Sequence, residues 1–407
     1  MTPASSANGS HPENGPCPAA SSAPPPLSTF SFAWRTVATA VLLAGYYWGR
    51  AALTGPIASG LARLTGGSVD PSLPRVVTVL MLLGLLLAVW YKLVWKDKRF
   101  QAPLLVTCVL AVGDAAFSIL ENHPAPPWLV SASGGMILEY SPTFVAIVAT
   151  IVAELILGRF FWGKWPHLAS AYVSGISVGI LIKSSALWPF VLCGLISITS
   201  KYVLRIGERH IWNPTNFGVT MMLLLAPASV ASLTVQAGNN GLALLTIWVL
   251  GSLIMYRLGR FHVPFAFVIS FALLSFLRSF VTGHPWQTEI APMTSPMFQL
   301  FIFFMITDPR TTTRGWKSQT LVAVLVAVAE TAFRLIFKDV HSLYHSLFVV
   351  GPAANLVEIY FDRRRARATA ENPASGRTPA TAGGLSADSP SSGSSRPGPV
   401  LTSSRTD

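Results

Sequence analysis

Charge is what this sequence has least of. Asp, Glu, Lys and Arg together make up 11% of its 407 residues, whereas soluble proteins draw about a quarter of their residues from these four. With 51% hydrophobic residues and a mean hydropathy of +0.52, too little polar surface remains to keep a globule of this size dissolved. Cysteine is also scarce. Cys17, Cys108 and Cys193 are too few and too scattered for a disulfide framework or a metal site, so no metal is expected. Cys108 and Cys193 lie in apolar runs and read as small buried hydrophobes. The phosphate-binding P-loop, the zinc-protease His-Glu-x-x-His and the paired Cys-x-x-Cys are all missing. A nucleotide-driven pump or a soluble-type hydrolase is therefore not expected.

What the chain does have is long apolar runs. A spanning helix needs roughly 20 mainly apolar residues, because the hydrocarbon core is about 30 Å thick. Backbone groups cannot be left unpaired there, so spans are helices or closed barrels. Runs such as 76–90 and 321–329 are continuous rather than alternating, which favours helices. About twelve candidates follow, at roughly 32–49, 76–95, 103–120, 142–160, 168–184, 188–206, 211–228, 240–257, 263–281, 295–308, 318–337 and 341–361. The fifth, seventh and tenth are short or broken, so ten to twelve spans are compatible with the pattern. The fold class expected is an all-α polytopic membrane protein of about 10–12 transmembrane helices.

The net charge of +12 would in a soluble chain suggest nucleic acid as a partner. Here the basic residues sit in short clusters between apolar runs, so the bilayer is the expected partner and nucleic acid is not. With the N-terminus inside, the inner loops and the stretch from Arg363 to Arg367 hold about 16 Lys and Arg. The outer loops hold about five, namely Arg50, Arg63, Arg75, Lys183 and Lys338. This is the positive-inside bias. It predicts an even number of spans in a bacterial inner (plasma) membrane, with both ends cytoplasmic. Residues 1–30, rich in Pro, Ser and Ala and lacking Lys or Arg, read as a disordered cytoplasmic lead rather than a cleaved signal peptide. Residues 363–407 read as a disordered basic tail.

Ionisable side chains inside spans are expensive and face a bundle interior or a polar cavity. Asp114, Glu154, Arg278, Glu330 and Arg334 are the deep ones. Glu330 and Arg334, four apart, share a helix face and can neutralise each other as a structural ion pair. Asp114 and Glu154 have no local partner, and suit either a proton or cation path or a bond to a neighbouring helix. Two segments break helix rules. One is His210-Ile211-Trp212-Asn213-Pro214-Thr215-Asn216-Phe217-Gly218, and the other is Phe304-Met305-Ile306-Thr307-Asp308-Pro309. Transporters build ligand sites from such breaks, and a helix start offers free N–H groups to an anion. The plainer reading is that Asn-Pro starts a helix and Asp-Pro stops one. Asn213, Asn216, Thr307 and Asp308 are the candidate lining of a cavity between the two breaks.

The run Ser200-Lys201-Tyr202-Val203-Leu204-Arg205, followed by Arg209 to Gly218, resembles the RnfD/NqrB family, membrane components of the Rnf complex and of the Na⁺-pumping NADH:quinone oxidoreductase. That family carries a lysine-bearing helix, a short basic loop and an Asn-Pro-x-x-x-Gly-like helix start. Phe303 to Pro309 with Thr311-Thr312 is similar to its Ile-Thr-Asp-Pro segment, and Ala153-Glu154-Leu155 to an Ala-Glu-aliphatic run. The similarity covers about residues 100–362 and is greatest to the UnbU-like branch, the enediyne-biosynthesis type.

The resemblance implies two five-helix repeats in inverted orientation, at 99–230 and 231–362. The helices of 31–98 then become an N-terminal addition. A competing parallel register of six and six is offered by Arg99-Phe100-x-x-Pro103 echoing Arg260-Phe261-x-x-Pro264, and by His123-Pro124 echoing His284-Pro285. The five-and-five register is preferred, because it sets the Asn-Pro break opposite Gly351-Pro352-Ala353-Ala354-Asn355.

The resemblance further implies electron flow coupled to ion movement. It also implies FMN esterified to a Thr in a Ser-x-Ala-Thr-like motif between the repeats, and other membrane proteins of a redox complex as partners. Here that loop offers only Ala231-Ser232-Leu233-Thr234, and Thr234 lacks the Ala-Thr context. Covalent flavin is therefore not expected. FMN or riboflavin held non-covalently, or no flavin, is. At most the chain is a non-catalytic or redox component of a membrane oxidoreductase. The alternative is a small-solute, ion or metabolite transporter or channel on the same scaffold.

Overall fold

The computed structural model describes residues 123–207, 209–232, 241–309 and 311–371, with single residues and short runs between 49 and 114. Two compact units are found, 1–358 and 359–407. The spans expected at 32–49, 76–95 and 103–120 lie largely outside the described residues.

Each later apolar run except 295–308 becomes a helix close to its expected bounds. In chain order these are α2 (Pro142–Trp162), α3 (Ala169–Leu181), α4 (Trp188–Val203), α5 (Pro214–Leu225), α6 (Gly241–Leu258), α7 (His262–Thr282), α10 (Trp316–Phe337) and α11 (Ser342–Glu371). Three short helices sit between them: α1 (Pro127–Ala132), α8 (Trp286–Ile290) and α9 (Pro296–Leu300). α9 passes directly into a π-helical turn, Phe301–Met305. Proline supplies the first turn of α1, α2, α4, α5 and α9, where its fixed φ suits the helix and its missing N–H costs nothing. α2 ends at Gly163, whose φ of 64° is the left-handed stop that glycine adopts without strain. Arg159 in its last turn donates to the Gly163 carbonyl at 2.8 Å.

Among the described residues three helices, α2, α7 and α10, are long and apolar enough to cross a membrane. Their outer faces present large apolar side chains such as Ile156, Phe160, Leu273 and Ile336, an exposure that a soluble monomer does not sustain over such an area. α3, α4 and α5, with 13, 16 and 12 residues, reach only about 18–24 Å at 1.5 Å per residue.

Small residues bring these helices together. Gly175 and Gly179 of α3, one turn apart, lie so close to α2 that a Cβ on either would stand 2.5–2.6 Å from the Cα of Ile147 or Thr143. Such close approach is how apolar helices gain dispersion contact where lipid offers no hydrophobic drive. The other half of the core is aromatic. Phe267 of α7 packs on Phe298 and Phe301, and Phe271 on Phe298, at centroid distances of 4.8–5.8 Å.

The structure departs from the expected pattern in four places. Among the described residues three two-residue antiparallel ladders interrupt the helices: β1 (His123–Pro124) with β2 (Glu139–Tyr140), β3 (Ile182–Lys183) with β6 (Ala231–Ser232), and β4 (Arg205–Ile206) with β5 (Arg209–His210). The loop after α7 carries α8 and a 3₁₀ turn, Ala291–Thr294, because Pro285 and Pro292 each start a short helical piece. The run expected at 295–308 is only α9 plus the π turn. Finally, α11 continues to Glu371, into the stretch expected to be disordered from residue 363. Nothing breaks the helix there, since Arg and Ala are strong helix formers.

Candidate functional site

The two rule-breaking segments meet. Asn213 is the N-cap of α5, its Oδ1 accepting from the Asn216 backbone N–H at 3.1 Å. That is the helix-start role expected of Asn before Pro. Its other side-chain atom is free for a second task, and Asn213 Nδ2 donates to Asp308 Oδ2 at 3.1 Å. Asp308 also accepts from the Thr311 hydroxyl at 3.0 Å, while its backbone carbonyl accepts from the Thr312 hydroxyl at 2.7 Å. Thr307 turns away from this group and donates to the Phe303 carbonyl at 2.6 Å. The structure therefore brings together Asn213, Asn216 and Asp308, whereas Thr307 back-bonds within its own helical turn.

The first half of α11 closes over this seam. Asn216 Nδ2 donates to the Tyr344 carbonyl at 3.3 Å, and Trp212 Nε1 to the Phe348 carbonyl at 3.0 Å. Arg209, on β5, pairs with Glu358 at 2.5 Å and also reaches the Thr312 carbonyl and Asn355 Oδ1, each at 3.2 Å. Asn355 Nδ2 in turn bridges the carbonyls of Ile211 at 3.0 Å and Thr311 at 2.6 Å. Arg209, Asn355 and Glu358 were not singled out by sequence. Arg209 stood only in the Arg209–Gly218 run and Asn355 only in Gly351-Pro352-Ala353-Ala354-Asn355, while Glu358 carried no signal.

Next to the seam, among Asn213, Thr311, Thr313, Leu347 and Pro352, lies a cleft of about 10 Å³. That is room for about one water molecule. Small-molecule sites occupy some 300–1,000 Å³, and an isoalloxazine ring does not fit here. Thr313 Oγ1, on its lining, is buried without a protein partner, and so are two oxygens of α5, Asn216 Oδ1 and, one turn further along, Thr220 Oγ1. Tyr344 Oη is likewise buried and unpartnered. Arg260, in the turn between α6 and α7, feels the Asp308 charge and has a buried NH1 with no bonding partner. Burial lowers its guanidinium pKa, and Asp308 works against that shift.

The deep ionisable groups form two further clusters. Glu154 of α2, which has no partner within its own helix, meets Lys201 of α4 at 2.5 Å. Tyr202 donates to the same Glu154 Oε1 at 3.0 Å, leaving Glu154 Oε2 buried and unpartnered. Glu330 and Arg334 pair along α10 at 2.5 Å, and the pair belongs to a larger network. Arg278 of α7, itself 1% exposed, binds Glu330 at 2.9 Å and Glu289 of α8 at 3.0 Å. It also lies over the Phe271 ring at 5.0 Å. Ser342, at the start of α11, donates to Glu330 at 3.1 Å.

Burial alone would raise the Glu289 carboxyl. Hydrogen bonds from Thr282, Arg278 and His284, with the Arg278 charge, outweigh it and hold that pKa below the usual carboxylate value. Lys201 and Glu289 were missed as site residues because their partners lie 47 and 11 positions away.

Asp114 is fully buried. Thr234 lies outside the described residues, as do Cys17 and Cys108, while Cys193 is a buried free thiol. Among the described residues no group of three or more His, Cys, Asp or Glu could hold a metal ion. No protein-family model matches the chain, and no curated protein matches it.

Proposed function

We propose that this chain is a polytopic inner-membrane protein that passes a small solute or ion between two inverted five-helix halves, with the Asn213–Asp308 seam as its closed gate. The observation that carries this reading is that both segments of the seam hold buried, unpartnered oxygens, Asn216 Oδ1 and Thr220 Oγ1 on α5 and Thr313 Oγ1 after Asp308. Buried polar atoms are nearly always satisfied, and an orphan set beside a joint between two helix breaks is what a path closed at one end leaves behind. The water-sized cleft supports a closed state and has no room for a flavin ring between the two breaks.

The inverted repeat, 99–230 against 231–362, draws support from the ion pairs. Glu154–Lys201 joins α2 to α4, and Arg278–Glu330 joins α7 to α10. These are the second and fourth helices of each half, with the signs of the charges exchanged. Both termini are cytoplasmic in this reading, and the seam faces the cytoplasm.

The second reading is a membrane component of an ion-coupled oxidoreductase, with partner proteins and a non-covalent FMN or riboflavin. The Asn-Pro and Ile-Thr-Asp-Pro segments favour it. Absorbance of the detergent-purified protein in the flavin bands separates the two. A colourless protein supports transport, and yellow colour, whether released by acid or kept in the pellet, overturns it. A labelling experiment tests the gate directly. In a background lacking the native cysteines, Thr220→Cys should react with a membrane-impermeant thiosulfonate from the cytoplasmic side once Asp308→Ala opens the seam. Equal inertness with and without Asp308→Ala would exclude a path there.

A further inference from the structure

α11 does not end where its apolar sequence ends. Mainly apolar residues run to Phe361, and the helix then continues without a break through Asp362-Arg363-Arg364-Arg365-Ala366-Arg367 to Glu371. An unbroken helix imposes a register on these side chains. Residues three, four and seven apart share a face, so Tyr360, Arg363, Arg364 and Arg367 form one stripe. Asp362, the one acidic residue between Tyr360 and Arg367, is turned about 160° away from Tyr360 at 100° per residue and does not neutralise that stripe. All of these residues are exposed, Tyr360 at 62% and Phe361 at 48%. The two aromatic rings pack edge to face at 5.6 Å.

This order along the helix matches the order of layers at a bilayer surface. Tyr and Trp collect at the boundary between hydrocarbon and headgroups. Seven residues of helix rise about 10 Å, and the headgroup zone on each side is about 5–8 Å deep. With Tyr360 at the boundary, the three guanidinium groups fall among the phosphates. Each is a planar fork able to hold a phosphate by two parallel hydrogen bonds. Arginine clusters just beyond a span attract anionic lipid.

We propose that the Tyr360–Arg363–Arg364–Arg367 face of α11 is a binding surface for the phosphate headgroups of anionic phospholipids, in the leaflet where α11 leaves the bilayer. It rests on the membrane reading, in which the apolar part of α11 is a span, but not on the gate. The test uses the full-length chain reconstituted in phosphatidylcholine vesicles carrying trace spin-labelled phosphatidylglycerol or phosphatidylcholine, with the motionally restricted fraction read by electron spin resonance. Wild type should retain phosphatidylglycerol several-fold over phosphatidylcholine, and molar salt should weaken the preference by screening. The triple variant Arg363→Gln/Arg364→Gln/Arg367→Gln should lose most of it, while Arg365→Gln, off the stripe, keeps most of it.

Equal retention of the two lipids by wild type overturns the proposal, as does a triple variant that still discriminates. A loss in Arg365→Gln as large as in the triple variant overturns the stripe in favour of plain net charge. Arginine-dependent binding of a labelled oligonucleotide without lipid preference makes this a nucleic-acid surface instead. A chain that does not enter the vesicles overturns the membrane reading along with the proposal.

Discussion

Lys201 and Glu154 meet at 2.5 Å with side chains only 5% and 2% exposed, and neither charge can be left alone in such surroundings. Removing one member of a buried pair costs about 3–5 kcal/mol, whereas removing both together is often close to neutral. Lys201→Met should therefore lower the thermal midpoint in detergent by much more than Lys201→Met combined with Glu154→Leu. A double variant as unstable as the sum of the singles would show that the pair is not coupled.

Acid acts at two other residues, both outside the spans. Burial lowers the His341 pKa and the nearby His345 lowers it further, with Asp339 opposing. Glu289 is also held low, with burial opposed and outweighed by its hydrogen bonds and Arg278. For both groups the unfolded chain binds protons first as pH falls, so stability is lost towards acid. The His341 contribution is complete above its ordinary 6.5 and the Glu289 contribution above its ordinary 4.5. His341→Gln should flatten the melting profile only in the window opening below 6.5. A profile unchanged there would show that His341 does not titrate between the folded and unfolded states.

Gly218 shows what elements require of single positions. On α5, a Cβ there would stand 2.8 Å from the Cys193 carbonyl and closer still to the Ser197 hydroxyl of α4, and the backbone oxygen cannot move aside cheaply. Gly218→Ala should cost about 1–3 kcal/mol by overpacking, although alanine is the better helix former. A neutral result in the same melting assay would mean that α4 and α5 separate readily.

At this scale the sequence was legible in part. Helix positions followed from apolar runs and proline, and Asn213 as a cap followed from Asn-Pro. The short ladder between β3 and β6 was not legible, because two-residue strands leave no periodicity to read. Nor was the π turn Phe301–Met305, whose apolar residues suit an α-helix equally well.

The expected even-span topology is a property of the whole molecule. Fusing a reporter active only in the cytoplasm after residue 371, and in a second version before residue 30, should give activity in both. Activity in only one would mean an odd number of spans and would remove the argument for opposed halves.

Composition by itself determined that this chain is helical and apolar, with helices long enough to cross a bilayer, because hydropathy is a local quantity summed along the chain. Tertiary structure decided who meets whom. It joined Asn213 to Asp308 across 95 positions, Arg209 to Glu358 across 149 and Glu154 to Lys201 across 47. Pairings of that kind depend on how helices cross in space, and no spacing within a single run encodes them.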